Sequence, residues 1–128
     1  FNRTAQVDRG GIGGFELTCR RNLIYYLEGK AVGDYGSGHW GRDVCAFDRN
    51  LYWNASAKPI LFANKSFSEW QATAQDKDSI IANPLFVDPE HGNFGIQPGS
   101  PAAQIGFETW DLSGVGPRPR LRLADKER

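Results

Sequence analysis

Six residues crowd one short stretch of this sequence with side chains able to do chemistry: Asp34, Tyr35, His39, Trp40, Arg42 and Asp43. The two carboxylates bracket a loop that holds the other four. Two carboxylates can divide general acid and general base between them when their surroundings push their proton affinities apart. The rings of Tyr35 and Trp40 offer flat faces for stacking, and His39 and Arg42 offer donors for hydroxyl groups. Asp76 is a third candidate carboxylate, with Glu28 behind it. The ordinary alternative for each is a turn, because Asp bonds readily to its own backbone. Trp53 and Trp70 read as core rather than as stacking platforms.

Other chemistries find less support. The chain has no G-x-S-x-G elbow and no phosphate-binding P-loop. A serine triad lacks a His partner, since His91 lies in a Pro-Glu-His-Gly turn. Cys19 and Cys45 lack C-x-x-C spacing, and two histidines are too few to make a zinc site attractive. No cofactor is expected. Calcium could bind the acidic turns, although EF-hand spacing is absent. The 15 basic and 15 acidic residues leave a formal net charge of zero, so the overall field favours neither nucleic acid nor an anionic membrane. No apolar run reaches the length of a membrane span. The chain begins at Phe1 and contains no methionine, which reads as a processed or excised piece whose targeting signal would lie elsewhere.

The elements that must position these residues begin with a repeat. Arg21-Asn22-Leu23 followed by Ile24-Tyr25 matches Arg49-Asn50-Leu51 followed by Tyr52-Trp53, at an offset of 28 residues. A period of about 20–50 residues marks repeat architectures. An alternating segment precedes each Asn (Phe15–Cys19 and Val44–Phe47), and an apolar segment follows it. Asn between two strands can adopt the left-handed conformation and turn the chain. In stacked coils such asparagines can bond to one another. The matched register places Leu23 over Leu51, Tyr25 over Trp53, Cys19 over Phe47 and Cys45 over Leu17. The cysteines are then diagonal neighbours and free thiols. The glycine-rich stretch from Glu28 to Asp43 reads as a protruding loop.

The second half changes character. Lys58–Ala63 is a strand candidate. Ser66 and Glu69 form a capping box, predicting a short helix through about Gln75 with Phe67, Trp70 and Ala74 on one face. Apolar runs at 79–82 and 85–87 follow, punctuated by Pro84, Pro89, Gly92, Pro98, Gly99 and Pro101. This is a turn-rich closing segment, of the kind a stacked-coil protein needs to cover its last core cross-section.

An ordered series of motifs carries a family resemblance: Asn50-Leu-Tyr-Trp-Asn-Ala-Ser56, Phe67-Ser-Glu-Trp70, Gln75-Asp-Lys-Asp-Ser79, Asn83-Pro-Leu-Phe-Val-Asp-Pro89, Gly92-Asn-Phe94, Pro98-Gly-Ser-Pro-Ala102 and Ile105-Gly-Phe107. It resembles the C-terminal end of bacterial right-handed parallel β-helix (pectate-lyase-like) proteins, most closely those related to glycoside hydrolase family 141. Asp78 and Asn83 depart from the pattern, which has His and Asp there. The resemblance implies an all-β fold: the C-terminal coils of a right-handed parallel β-helix, one short helix and a turn-rich cap over 1–116. A basic, frayed tail over 117–128 follows.

The resemblance further implies a secreted, periplasmic or cell-surface protein acting on a plant or microbial polysaccharide. The parent would be a glycoside hydrolase, with a non-catalytic cap or glycan-binding module, or a polysaccharide lyase, as alternatives. Whether the chain by itself is an enzyme stays open. Its expected partners are a poly- or oligosaccharide, and either the remainder of the parent β-helix or a second copy. Glycoside hydrolysis needs carboxylates about 5–5.5 Å or 6.5–9.5 Å apart. Coils about 4.8 Å apart would meet that requirement. Asp34 or Asp43 facing Asp76, or a carboxylate of the preceding coil, is therefore the expected catalytic pair, with Tyr35, His39, Trp40 and Arg42 binding substrate.

Overall fold

The computed structural model describes residues 5–8, 17–34, 40, 45–111 and 113–116. Among the described residues the protein is all-β with one short helix, and its strands lie in four short sheets, none of them closed. A first set of strands comprises β1 (Ala5–Val7), β2 (Leu17–Arg20) and β3 (Leu23–Tyr26). A second comprises β4 (Lys30–Val32), β5 (Cys45–Asp48) and β6 (Leu51–Asn54). Each first-set strand pairs in parallel with its second-set counterpart: β1 with β4, β2 with β5, and β3 with β6.

The register is the one the repeat predicts. Leu23 lies opposite Leu51, Tyr25 opposite Trp53, Cys19 opposite Phe47, and Leu17 opposite Cys45. Both cysteines are free. Burial pushes the Cys19 thiol up, and the neighbouring Cys45 thiol partly offsets this.

Alternation sorts the side chains. Ile24, Tyr26, Val32, Cys45, Phe47 and Tyr52 face one shared core, joined by Trp40, Phe62 and Trp70. Rings meet edge to face within it, Trp40 with Phe47 and Phe47 with Trp70, each pair at 5.5 Å between centroids. Leu51 is also buried, but apart from that cluster, as are Ala102 and Ile105.

Three local expectations are corrected. Asn22 and Asn50 do not carry the left-handed turns; Arg21 (φ 55°) and Arg49 (φ 51°) do. The asparagines are thereby released to bond across the sets. The stretch from Glu28 to Asp43 is not all loop. Lys30-Ala-Val forms β4, with Ala31 and Val32 fully buried, because Gly29 (φ 88°) supplies the turn before it. A Cβ at Gly33 would meet the Asp8 carboxyl, so a larger residue there would require that side chain to shift. Between Lys58 and Ala63 only Phe62 pairs as a strand residue, through bridges to Val32 and Lys65.

The capping box is present: Ser66 Oγ accepts from Glu69 N–H, and the Glu69 carboxyl accepts from Ser66 N–H. The helix it starts, α1 (Phe67–Ala72), stops short of the expected Gln75. Thr73 Oγ1 donates to the Trp70 carbonyl, and Ala74 (φ 67°) and Asp76 (φ 49°) turn the chain back toward β5. Next come β7 (Ile80–Ile81), parallel to β6, and the antiparallel hairpin of β8 (Phe86–Asp88) and β9 (Asn93–Ile96). A 3-10 turn over Pro101–Ile105 closes the described fold. The predicted tail over 117–128 lies outside the described residues.

Candidate functional site

Two centres can be built from the described residues, and neither is the loop that the sequence singled out. Tyr35, His39, Arg42 and Asp43 lie outside the described residues. Asp34 lies on the surface, with its carboxylate accepting from Lys30 Nζ at 3.0 Å and from Asn64 Nδ2. These two donors hold its carboxyl below the usual range. It is therefore ionised near neutrality, suited to a base or nucleophile rather than to an acid. Trp40 is only 7% exposed, and its indole N–H donates to the Gly33 carbonyl at 2.8 Å. Its ring faces belong to the core and offer no platform for a ligand. Trp70 is core, as expected.

Asp76 sits at the first centre, and it is fully buried. Its Oδ1 accepts from Asn50 Nδ2 at 3.0 Å and from Ser79 Oγ. Its Oδ2 accepts from Tyr52 Oη at 2.9 Å and Trp70 Nε1 at 2.7 Å. Four donors saturate both oxygens. Burial first, and then Asp76, push the Tyr52 hydroxyl well up. Asp34 and Asp76 share no hydrogen-bond partner, one at the surface and the other sealed inside.

The hydrogen bonds around Asp76 form a ladder. Asn22 gives its backbone N–H and its Nδ2 to Asn50 Oδ1, at 3.1 and 3.0 Å. Asn50 in turn gives its backbone N–H to Ser79 Oγ at 2.7 Å, and its Nδ2 to the Cys19 carbonyl and Asp76. Ser79 thus takes the third position, and Asp76 gathers the ends. Alongside, Gln75 behaves as a substitute strand. Its Oε1 accepts from Phe47 N–H at 3.0 Å, and its Nε2 donates to the Cys45 and Trp40 carbonyls. Asp76 N–H completes the edge by donating to the Phe47 carbonyl at 2.9 Å. The repeat could have located Gln75, since it follows Phe47 by 28 residues.

The second centre is a cleft of about 740 Å³ between β3 and the closing segment. Arg21, Leu23 and Tyr25 line one side, and Phe86, Phe94, Phe107 and Trp110 the other. Tyr25 meets Phe86 edge to face at 5.4 Å, and Phe86 meets Phe94 at 5.3 Å. Phe94 and Trp110 remain 55% and 77% exposed. No spacing rule could have found this cleft, because its walls come from both halves of the chain. Among the described residues, no group of three His, Cys, Asp or Glu side chains is placed to hold a metal ion. No helix among them is long and apolar enough to cross a membrane. Comparisons with protein-family models, with curated proteins and with solved structures found no match for this chain.

Proposed function

We propose that this chain is the closing segment of a right-handed parallel β-helix in a secreted carbohydrate-active protein, and that its own task is to end the helix. The observation that carries this reading is the parallel pairing at a 28-residue offset, with the Asn22–Asn50–Ser79 ladder ending on Asp76. A stacked-coil protein must satisfy the edge of its last coil or leave it as a template for aggregation. Gln75 and Asp76 meet that need for β5. The sequence resemblance to proteins related to glycoside hydrolase family 141 supplies the carbohydrate part of the reading.

The burial and saturation of Asp76 favour a structural role for it over a catalytic one. Of the two described candidates, Asp34 and Asp76, Asp34 is the accessible one, held ionised by Lys30 and Asn64 and able to act as a base or nucleophile. Asp43 is the nearest candidate in sequence for the accompanying acid.

The test is reducing-sugar release from a panel of plant and microbial polysaccharides. It compares the full-length parent with its Asp34→Asn, Asp43→Asn and Asp76→Asn variants. The closing role predicts that the first two leave turnover unchanged, while Asp76→Asn lowers thermal stability. A loss of about 100-fold or more on Asp34→Asn or Asp43→Asn, with the fold intact, would move catalysis into this segment. Failure to bind or cleave any polysaccharide would reject the carbohydrate reading.

A further inference from the structure

The closing segment covers the outer side of the β3–β6–β7 sheet unevenly. Over β6, Leu51 is fully buried outside the main core and Trp53 is partly buried, and Ala102 and Ile105 of the closing segment are likewise buried outside that core. Over β3 it is loose. Leu23 and Tyr25 are only partly buried, and the aromatic cleft opens beside them. Phe94 and Trp110 stand exposed at its rim, where a soluble protein ordinarily hides large rings.

Two further features meet there. Among the described residues, β1, β2 and β3 each have a strand neighbour on one side only. Asn22 spends its donors on Asn50, while no donor among the described residues reaches its own Oδ1. Asn50 Oδ1, one set further on, accepts two hydrogen bonds from the asparagine before it.

We propose that the free edge of β1, β2 and β3, together with the aromatic cleft, is the seat for one further set of parallel strands. That set carries an asparagine opposite Asn22 and an aliphatic residue opposite Leu23. The inference rests on the β-helix reading above and adds the cleft to it as the outer half of the seat. A strand about 4.8 Å beyond β3 pairs with the outer backbone groups of β3 that no described strand meets. Its asparagine gives N–H and Nδ2 to Asn22 Oδ1, repeating the Asn22–Asn50 contact. Its aliphatic side chain enters the cleft against Phe94 and Trp110.

A second copy of the chain does not fit this seat. Head to tail, it would present an edge already filled by Phe62, Gln75, Asp76 and β7. Head to head, its strands would run antiparallel and could not repeat the asparagine geometry.

The test joins a copy of residues 1–28 ahead of Phe1 of the full chain. Trp110 emission, taken as the difference from a Trp110→Phe reference, should shift to the blue and lose most of its acrylamide quenching. Amide exchange in β3 should slow by at least about tenfold. Changing Asn22 to Ala in the added copy alone should remove most of that slowing. An added copy that leaves Trp110 quenchable and β3 exchange unchanged would overturn the proposal. So would shielding of Trp110 in a dimer of the unmodified chain, which would give the cleft to a second copy. A response of Trp110 to neutral or acidic oligosaccharides would overturn it too, making the cleft a glycan site. Proton contacts between Leu23 and Leu51 in the unmodified chain judge the β-helix reading separately. Their absence rejects that reading, whereas their presence with an unresponsive Trp110 rejects only the seat.

Discussion

The two edges of the strand array are built on opposite plans. On the second set, every strand edge is met by something. Leu61 and Phe62 serve β4, Gln75 and Asp76 serve β5, and β7 serves β6. On the first set, among the described residues, no strand or substitute strand lies beyond β1, β2 and β3. The closed edge shows that a strand is not needed to finish a sheet. A side-chain amide and one backbone N–H can stand in for it, provided both are fully buried and held by a helix. The open edge keeps the repeating asparagine but, among the described residues, no donor to its side-chain oxygen, so the same residue type does different work at the two positions.

The largest expected effect tests the closed edge directly. Asp76→Ala strands four buried donors, those of Asn50, Tyr52, Trp70 and Ser79. An unsatisfied buried donor costs about 1–3 kcal/mol. A loss on the order of 4 kcal/mol or more is therefore expected, a large share of a typical domain's stability. The urea midpoint measures it; a midpoint close to the parent's would show that the ladder does not depend on Asp76.

Gln75→Ala should follow, at about 2–3 kcal/mol, because it leaves Phe47 N–H and the Cys45 and Trp40 carbonyls unmet. Gln75→Glu retains the acceptor for Phe47 but places negative charge against two carbonyls, and should be no better than Ala. If Glu were tolerated, the substitute-strand account would fail.

The paired comparison of Asn50→Ala with Asn22→Ala is sharper, though smaller. Asn50 is buried and bonded on both sides, whereas Asn22 is exposed and bonded on one. We expect about 2 kcal/mol or more for Asn50 and about 1 kcal/mol or less for Asn22. Equal losses in chemical denaturation would erase the distinction between the two edges.

The smallest effect lies at the surface. Bonds to Ser66 hold the Glu69 carboxyl below its ordinary value of 4.5. Its stabilising contribution is present above that unfolded value and is lost as pH falls through the lowered folded one. The thermal midpoint should therefore decline below about pH 4.5, and Glu69→Gln should flatten part of that decline. An unchanged acid limb in Glu69→Gln would remove the capping box from the account.

Much of the strand array is legible in the order of the amino acids. The Arg-Asn-Leu repeat predicts the register of β3 on β6 and the diagonal placement of the two free cysteines. Ser66 and Glu69 predict where α1 begins. These signals are local, or repeat at a fixed spacing, and alternation in a strand makes register a matter of counting. The end of α1 is less legible, because Gln75 and Asp76 leave the helix to satisfy β5, and a competing tertiary bond has no local signature. The glycine-rich stretch hides β4 for the same reason: three residues acquire strand geometry only when Val7 and Leu61 are there to pair with them.

The candidate site shows the same division. The order of amino acids shows which residue types are on hand and which strands stand side by side, because both follow from composition and period. It could not determine that Trp40 turns inward, that Asp34 is tied to Lys30 and Asn64, or that Asp76 is sealed by four donors. Nor could it assemble Arg21, Tyr25, Phe86, Phe94 and Trp110 into one cleft. Burial and convergence of distant side chains depend on the whole packed arrangement, which no local pattern of residues encodes.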